Sequence, residues 1–322
     1  MKRFLSVALA SAAILFSPPL VAQNYPSRTV TVVVPFPAGG SVDGVARILV
    51  QKLNETPGHT FVVENRAGGA GGNVGSNTVA KAPPDGYTLL LSASIHVINP
   101  FLFKNVPYDV IADFTPVSLL AVGPLIVSTT PSVPAKNLKE FFDLVRATPD
   151  KFTFGTTGVG SASHLAIELL KREGGVNTLV VAYRGTAPAL TDLMSGQIQG
   201  LADPILSSLP LAQGGKIKAL AITSAKRMPS APDIPTVAES GMKDFEFVSW
   251  YGVWGPKGLP PEIVQKLQTE MAKAVKDPGV QERMGVQGFE SVGSTADEFA
   301  RYVNAEMAKY GQIIKDANIK ID

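Results

Sequence analysis

The sequence predicts an α/β protein of two lobes joined by two extended crossover segments. Runs rich in Val, Ile and Thr alternate with stretches whose apolar residues recur at helical spacing, the pattern of parallel strands covered by helices. This alternation runs to residue 92, restarts beyond an extended segment at 119–129, and gives way to a second extended segment at 245–254. Connections in compact domains are short, so two long extended segments between βα sets read as two passages between lobes, and hence as a hinge. Lobe 1 is expected from 23–123 plus 247–322, and lobe 2 from 124–246.

In chain order, 29–35 is a β-branched strand, followed by a helix at 42–53. A strand at 60–64 leads through a glycine-rich turn to a helix at 73–81, and PPDG introduces a strand at 87–92. In the second set, 138–148 is an amphipathic helix. A short strand at 152–154 runs into GTTGVGSASH and a helix at 165–172. Strands at 179–182 and 198–202 run into YRGTAPALTDLMSG and DPILSS, and 217–223 is the last strand of this half. The proline-rich SAKRMPSAPDIPT (224–236) interrupts the pattern. Helices at 260–276 and 295–316 close the chain.

The first 22 residues stand apart. Lys2 and Arg3 precede an apolar stretch from Phe4 to Phe16, then two prolines and small residues up to Ala22, the layout of a secretory signal peptide. The stretch is short for a membrane span. Cleavage after Ala22 leaves 322 − 22 = 300 residues and removes two of the 29 Lys+Arg, leaving 27 against 27 Asp+Glu. A balanced charge carries no footprint for nucleic acid or a membrane surface. With no cysteine, there is no disulfide, no thiolate site and no point for a lipid anchor. Three histidines (His59, His96, His164), without HxH or HExxH spacing, do not make a catalytic zinc site.

Chemistry is expected in loops that follow strands, where open α/β sheets bind ligands. These are FPAGGSVD (36–43), SASIH (92–96), GTTGVGSASH (155–164) and AYRGTAP (182–188), with ADP (202–204) as a fifth candidate. In the first, Gly39 and Gly40 let the backbone approach a ligand, and Ser41 or Asp43 can cap the helix that follows. The third repeats the scheme with Gly158, Gly160, Ser161 and Ser163, so each lobe offers a helix N-terminus that suits an anion held from both sides, the alternative for either loop being glycine needed only to turn a strand into a helix. His164 is either a donor to a ligand or a structural histidine. Arg184 suits a second carboxylate or a surface ion pair, and Phe36 and Tyr183 either flank an organic ligand or simply pack.

Rival readings fail on the residues. Neither loop has the lysine of a P-loop, and no triple of glycines in RAGGAGGNVG (66–75) fits GxGxxG. Asp43 beside the first turn disfavours a phosphate dianion. The alternative of a secreted hydrolase has to use Ser163, His164 and Asp203, yet there is no GxSxG elbow, and adjacent helical residues do not face each other.

YPSRTVTVVVPFPAGGSVDGVAR, VENRAGGAGGNVGSNTVAKAPPDGYTLLL, NVPYDVIADFTPVSLL, FGTTGVGSASHLA, YRGTAPALTDLMSGQI and WYGVWGPKGLPPEIVQKL stand here in this order. Through them the chain resembles, from Tyr25 to its C-terminus, the solute-binding receptors of tripartite tricarboxylate transporters, the Bug (TctC-like) family. The resemblance implies a periplasmic-binding-protein-like Venus flytrap without catalysis, cofactor or metal. It implies a monomer, exported to the periplasm and not lipidated, that delivers a small organic anion (a mono- or dicarboxylate, an amino acid or an aromatic acid) to a membrane permease. Carried over by position, it adds Ala38, Ser92, Ser94, Thr156 and Thr157 to the ligand-binding candidates. An exported interaction protein or a sensor of ligand occupancy is a further alternative.

Overall fold

The computed structural model describes residues 25–319. The signal-peptide reading at 1–22 lies outside the described residues.

The first lobe opens with β1 (Val30–Val34), α1 (Ser41–Leu53), β2 (Phe61–Asn65), α2 (Asn73–Ala80), β3 (Thr88–Ala93) and α3 (Ile95–Leu102). Then β4 (Phe114–Thr129) leads to α4 (Leu138–Ala147), β5 (Thr153–Thr156), α5 (Ala162–Gly174), β6 (Leu179–Ala182), α6 (Thr186–Ser195), β7 (Gly200–Pro204), α7 (Ile205–Gln213) and β8 (Lys218–Ile222). The return brings β9 (Val248–Pro256), α8 (Pro261–Val275), α9 (Pro278–Val286), the short β10 (Glu290–Ser291) and α10 (Ala296–Asp316).

Strand order is β2-β1-β3-β9-β4-β7-β5-β6, with β8 and β10 also beside β4. β4 is the spine. Its residues 114–124 pair with β9, whereas 125–129 pair antiparallel with β7, so one strand belongs to both sheets. The chain returns beside this change of sheet: Phe247 N–H donates to Thr223 at 2.9 Å, and Val248 lies opposite Pro124. β1 is parallel to β2 and β3, and β5 is parallel to β6 and β7, so each lobe has a parallel set whose carboxyl ends run into loops.

β1 is buried on both faces. Val30, Val32 and Val34 pack with Leu49 of α1 and Leu267 and Met271 of α8, while Val33 packs with Val97, Trp254 and Phe299 on the other side. That second core continues through Phe247, Trp250, Tyr310 and Ile313 to Phe141, Phe154 and Leu165 in the second lobe. α10 carries much of it. A capping box between Thr295 and Glu298 starts this 21-residue helix, and its last turn reaches α5, where Arg172 meets Asp316 at 3.2 Å. The lobes therefore share a rear helix as well as the two expected crossings.

Four helices are absent from the sequence reading: α3, α6, α7 and α9. α3 and α7 contain Pro100 and Pro210, and α6 has Pro188 in its first turn, where a missing N–H costs little. β4 also begins at Phe114 rather than 119. Register shifts on either side of residue 118 accommodate Pro116, whose ring cannot donate to the ladder.

Candidate functional site

The first loop joins β1 to α1. Gly39 is left-handed at φ +87°, a conformation that costs other residues about 1–2 kcal/mol, and a Cβ there would meet nothing within 4 Å. α1 begins on Gly40, and its first-turn N–H groups carry no side-chain cap among the described residues. Neither Ser41 nor Asp43 caps the helix, contrary to the sequence expectation. The Asp43 carboxylate is turned inward and buried. It accepts from Gly39 N–H at 2.9 Å, Arg47 Nε at 2.8 Å and Asn65 Nδ2 at 2.9 Å. Burial opposes its charge, but the hydrogen bonds from Arg47, Gly39 and Asn65 outweigh that and hold it at about 2. Asn65, at the end of β2, also donates to Phe36 O at 3.1 Å, pinning the other side of the loop. Phe36 itself is half-buried against the first-lobe core, and Ala38 is exposed.

In the second lobe the 157–161 loop is closed on itself. Ser161 Oγ donates to Gly158 O at 2.8 Å and accepts His164 N–H at 3.2 Å, which caps α5. The Thr156 hydroxyl donates to the same Gly158 O at 3.2 Å, and the Thr157 hydroxyl reaches Ser161 Oγ at 3.3 Å. His164 Nδ1 accepts from Gly160 N–H at 3.0 Å, so the ring is the Nε2–H tautomer, and burial lowers its basicity. Its far side borders a groove of about 390 Å³ shared with Glu168, Lys171 and Ile319.

The fourth loop matches the first more closely. α6 starts on Gly185, again without a side-chain cap, with Thr186 where α1 has Ser41. Arg184, just before it, is exposed and forms no ion pair among the described residues. Tyr183 Oη donates to Asp192 at 2.7 Å, and burial with that neighbouring acid pushes the phenol up to about 12. Asp203 is fully buried at the end of β7 and accepts from Thr186 at 3.0 Å and Ser208 at 3.1 Å. Burial raises this carboxyl to about 7.

The turn between α9 and β10 joins the two rims. A Cβ on Gly44 of α1 would lie 2.7 Å from Gln287 Oε1, and one on Gly288 would lie 2.1 Å from Ile205 at the start of α7. The first turns of α1 and α7 thus flank one wedge.

The structure does not assemble the hydrolase constellation. Ser163 is buried and donates to Ala202 O at 2.5 Å, His164 is engaged by Gly160, and Asp203 faces two hydroxyls. Ser92 and Ser94 are buried as well. By alternation Ser92 shares the face of Leu90, the α10 side of β3, and Ser94 N–H is taken by Trp250 O at 2.9 Å. Asn65 and Ser208 are missed by the sequence reading, and Gly185 and Thr186 fall within its fourth loop, 182–188, without being singled out there. A strand followed by Gly-Ser in one lobe and Gly-Thr in the other is the signal that could have paired α1 with α6. Among the described residues, no group of three or more His, Asp or Glu could hold a metal ion, and no helix is long and apolar enough to cross a membrane.

The profile of the tripartite tricarboxylate transporter family receptor matches residues 45–319. Protein BugT of Bordetella pertussis is 33% identical over 319 residues, 98% of this chain and 97% of its own. Among solved structures, Rpa4515 of R. palustris with adipate is 37% identical, with a TM-score of 0.80 over 92% of this chain and all of its own. MatC from Rhodopseudomonas palustris with bound malate is 34% identical, with a TM-score of 0.75 over 90% of this chain and 100% of its own. Family and fold are those of solute-binding proteins, and the chain belongs to the tripartite tricarboxylate transporter receptors, the TctC or Bug family.

Proposed function

We propose that this receptor captures a small organic carboxylate between its lobes, in the periplasm, and presents it to a tripartite tricarboxylate-type permease. The reading takes 23–123 plus 247–322 and 124–246 as the two moving halves, with 1–22 removed on export. The observation that carries it is the pair of glycine-started, uncapped helices, α1 and α6, at the carboxyl ends of parallel strands in opposite lobes. Uncapped first turns supply N–H donors and a positive dipole end. Each such bond to a carboxylate contributes about 1.5–3 kcal/mol. Adipate and malate in the two related structures support an acid as the cargo. Arg184, exposed ahead of Gly185, is the group we assign to a second carboxylate, because a guanidinium pairs with one bidentately. Closure follows from greater affinity for the closed arrangement.

The test is a thermal-shift screen of ligand-stripped mature protein with mono-, di- and tricarboxylates, amino acids, aromatic acids, sugars and cations. A cognate acid at 100 times its Kd stabilises by about 2.7 kcal/mol. A response to a sugar or a cation, with none to any acid, overturns the reading.

A further inference from the structure

Asp203 lies fully buried beneath the start of α6, and each of its oxygens is taken by one hydroxyl: Thr186 donates to Oδ1 and Ser208 to Oδ2. Among the described residues, no charged side chain is a partner. α7, β5 and residues 125–129 of β4 carry no titratable side chain. On α6, Asp192 is held by Tyr183. On α5, His164 is held by Gly160, and Glu168 pairs with Lys171 at 3.0 Å. Arg184 stands exposed beyond Gly185.

The hydroxyls make the charge of Asp203 legible at the surface. An ionised carboxylate only accepts, so it holds the protons of both Thr186 and Ser208. The hydroxyl of half-buried Thr186 can then offer an anion nothing but lone pairs. A proton taken from solvent onto Oδ1 reverses that hydrogen bond: Oδ1–H donates to Thr186 Oγ, and the Thr186 proton is free to turn to a ligand carboxylate. No other bond changes.

We propose that capture of the carboxylate is coupled to uptake of one proton by Asp203, with the Thr186 hydroxyl as the relay between them. The inference rests on the reading of the α6 N-terminus as part of the anion site. Burial without a compensating cation, which lifts the carboxyl to about 7, sets the exchange near neutral pH.

The experiment is titration calorimetry of ligand-stripped protein with succinate, L-malate, adipate and benzoate at pH 6 and pH 8. For the acid that binds best, it is repeated in buffers of different ionisation enthalpy to count protons. With a free-state value of about 7, binding should be about tenfold weaker at pH 8 than at pH 6, with net proton uptake. Asp203→Asn, which carries a donor and an acceptor at any pH, should flatten the profile and bind about tenfold tighter than wild type at pH 8. Thr186→Val should lose the advantage at pH 6, and Thr186→Ser should restore it. This pair and the proton count decide the matter if the Asn variant does not fold. Wild-type affinity that is flat or rises with pH, or an Asn variant with the wild-type slope (which would hand the dependence to His164), overturns the coupling alone. No binding of any acid at either pH overturns the receptor reading together with it.

Discussion

The Asp43 carboxylate accepts the N–H of Gly39, four residues before it, at 2.9 Å, while Arg47 and Asn65 hold the same group. The acid of the first loop is therefore a brace for that loop and does not cap the first turn of α1.

Asp43→Asn should destabilise the protein by roughly 2 kcal/mol at neutral pH, from a folded-state value of about 2 against an ordinary 3.8. A carboxyl depressed in the folded state contributes its stability above the unfolded value and loses it as pH falls through the folded one. The gap between variant and wild type should thus shrink from pH 4 toward pH 2 in urea titrations. A gap independent of pH would refute the brace.

Gly39→Val should weaken carboxylate binding while the lobes still fold, but not by crowding, because a Cβ there meets open space. The cost is that valine is strained at the left-handed φ of +87°, and relaxing out of it pulls the Gly39 N–H off Asp43. Gly40→Ala, at φ −82°, should be tolerated by the fold. Circular dichroism and calorimetry on both variants separate strain from bulk.

Ser163→Ala should cost about 1–2 kcal/mol, because Ala202 O and Thr157 N–H lose the hydroxyl that joins them. Denaturant midpoints measure this. Neither protein should turn over a carboxylate ester, and hydrolysis lost in the variant would revive the enzyme reading.

His96 is buried among Tyr108, Phe114 and Trp254, with no partner for either ring nitrogen among the described residues. Burial lowers it to about 3, so it is neutral in the folded state and must charge only on unfolding. Its contribution holds above the ordinary value of 6.5 and is lost as pH falls toward 3. His96→Leu should therefore gain on wild type between pH 6 and pH 4, read as a rising difference in Tm.

The alternation of β-branched and amphipathic runs made the layered α/β fold legible, because strand and helix periods are local properties of the chain. α1, α5 and α10 could be placed from it, and so could the β4 crossing. Prolines hid α3, α6 and α7, since a helix that tolerates proline does so through its tertiary surroundings. Gly39, Gly40 and Asp43 were visible as a strand-to-helix turn, whereas the role of Asp43 was not, because Asn65 lies 22 residues away and meets it only across the β1–β2 pair. The sequence by itself determined a two-lobed α/β receptor with a glycine-rich turn at the mouth of its first lobe. Only the tertiary structure decided that α6 rather than α5 is its uncapped counterpart, that α10 ties the lobes at the rear, and that Asp203 is buried against two hydroxyls. Capping, burial and charge depend on which distant groups fold into contact, and residue spacing along a chain does not carry that information.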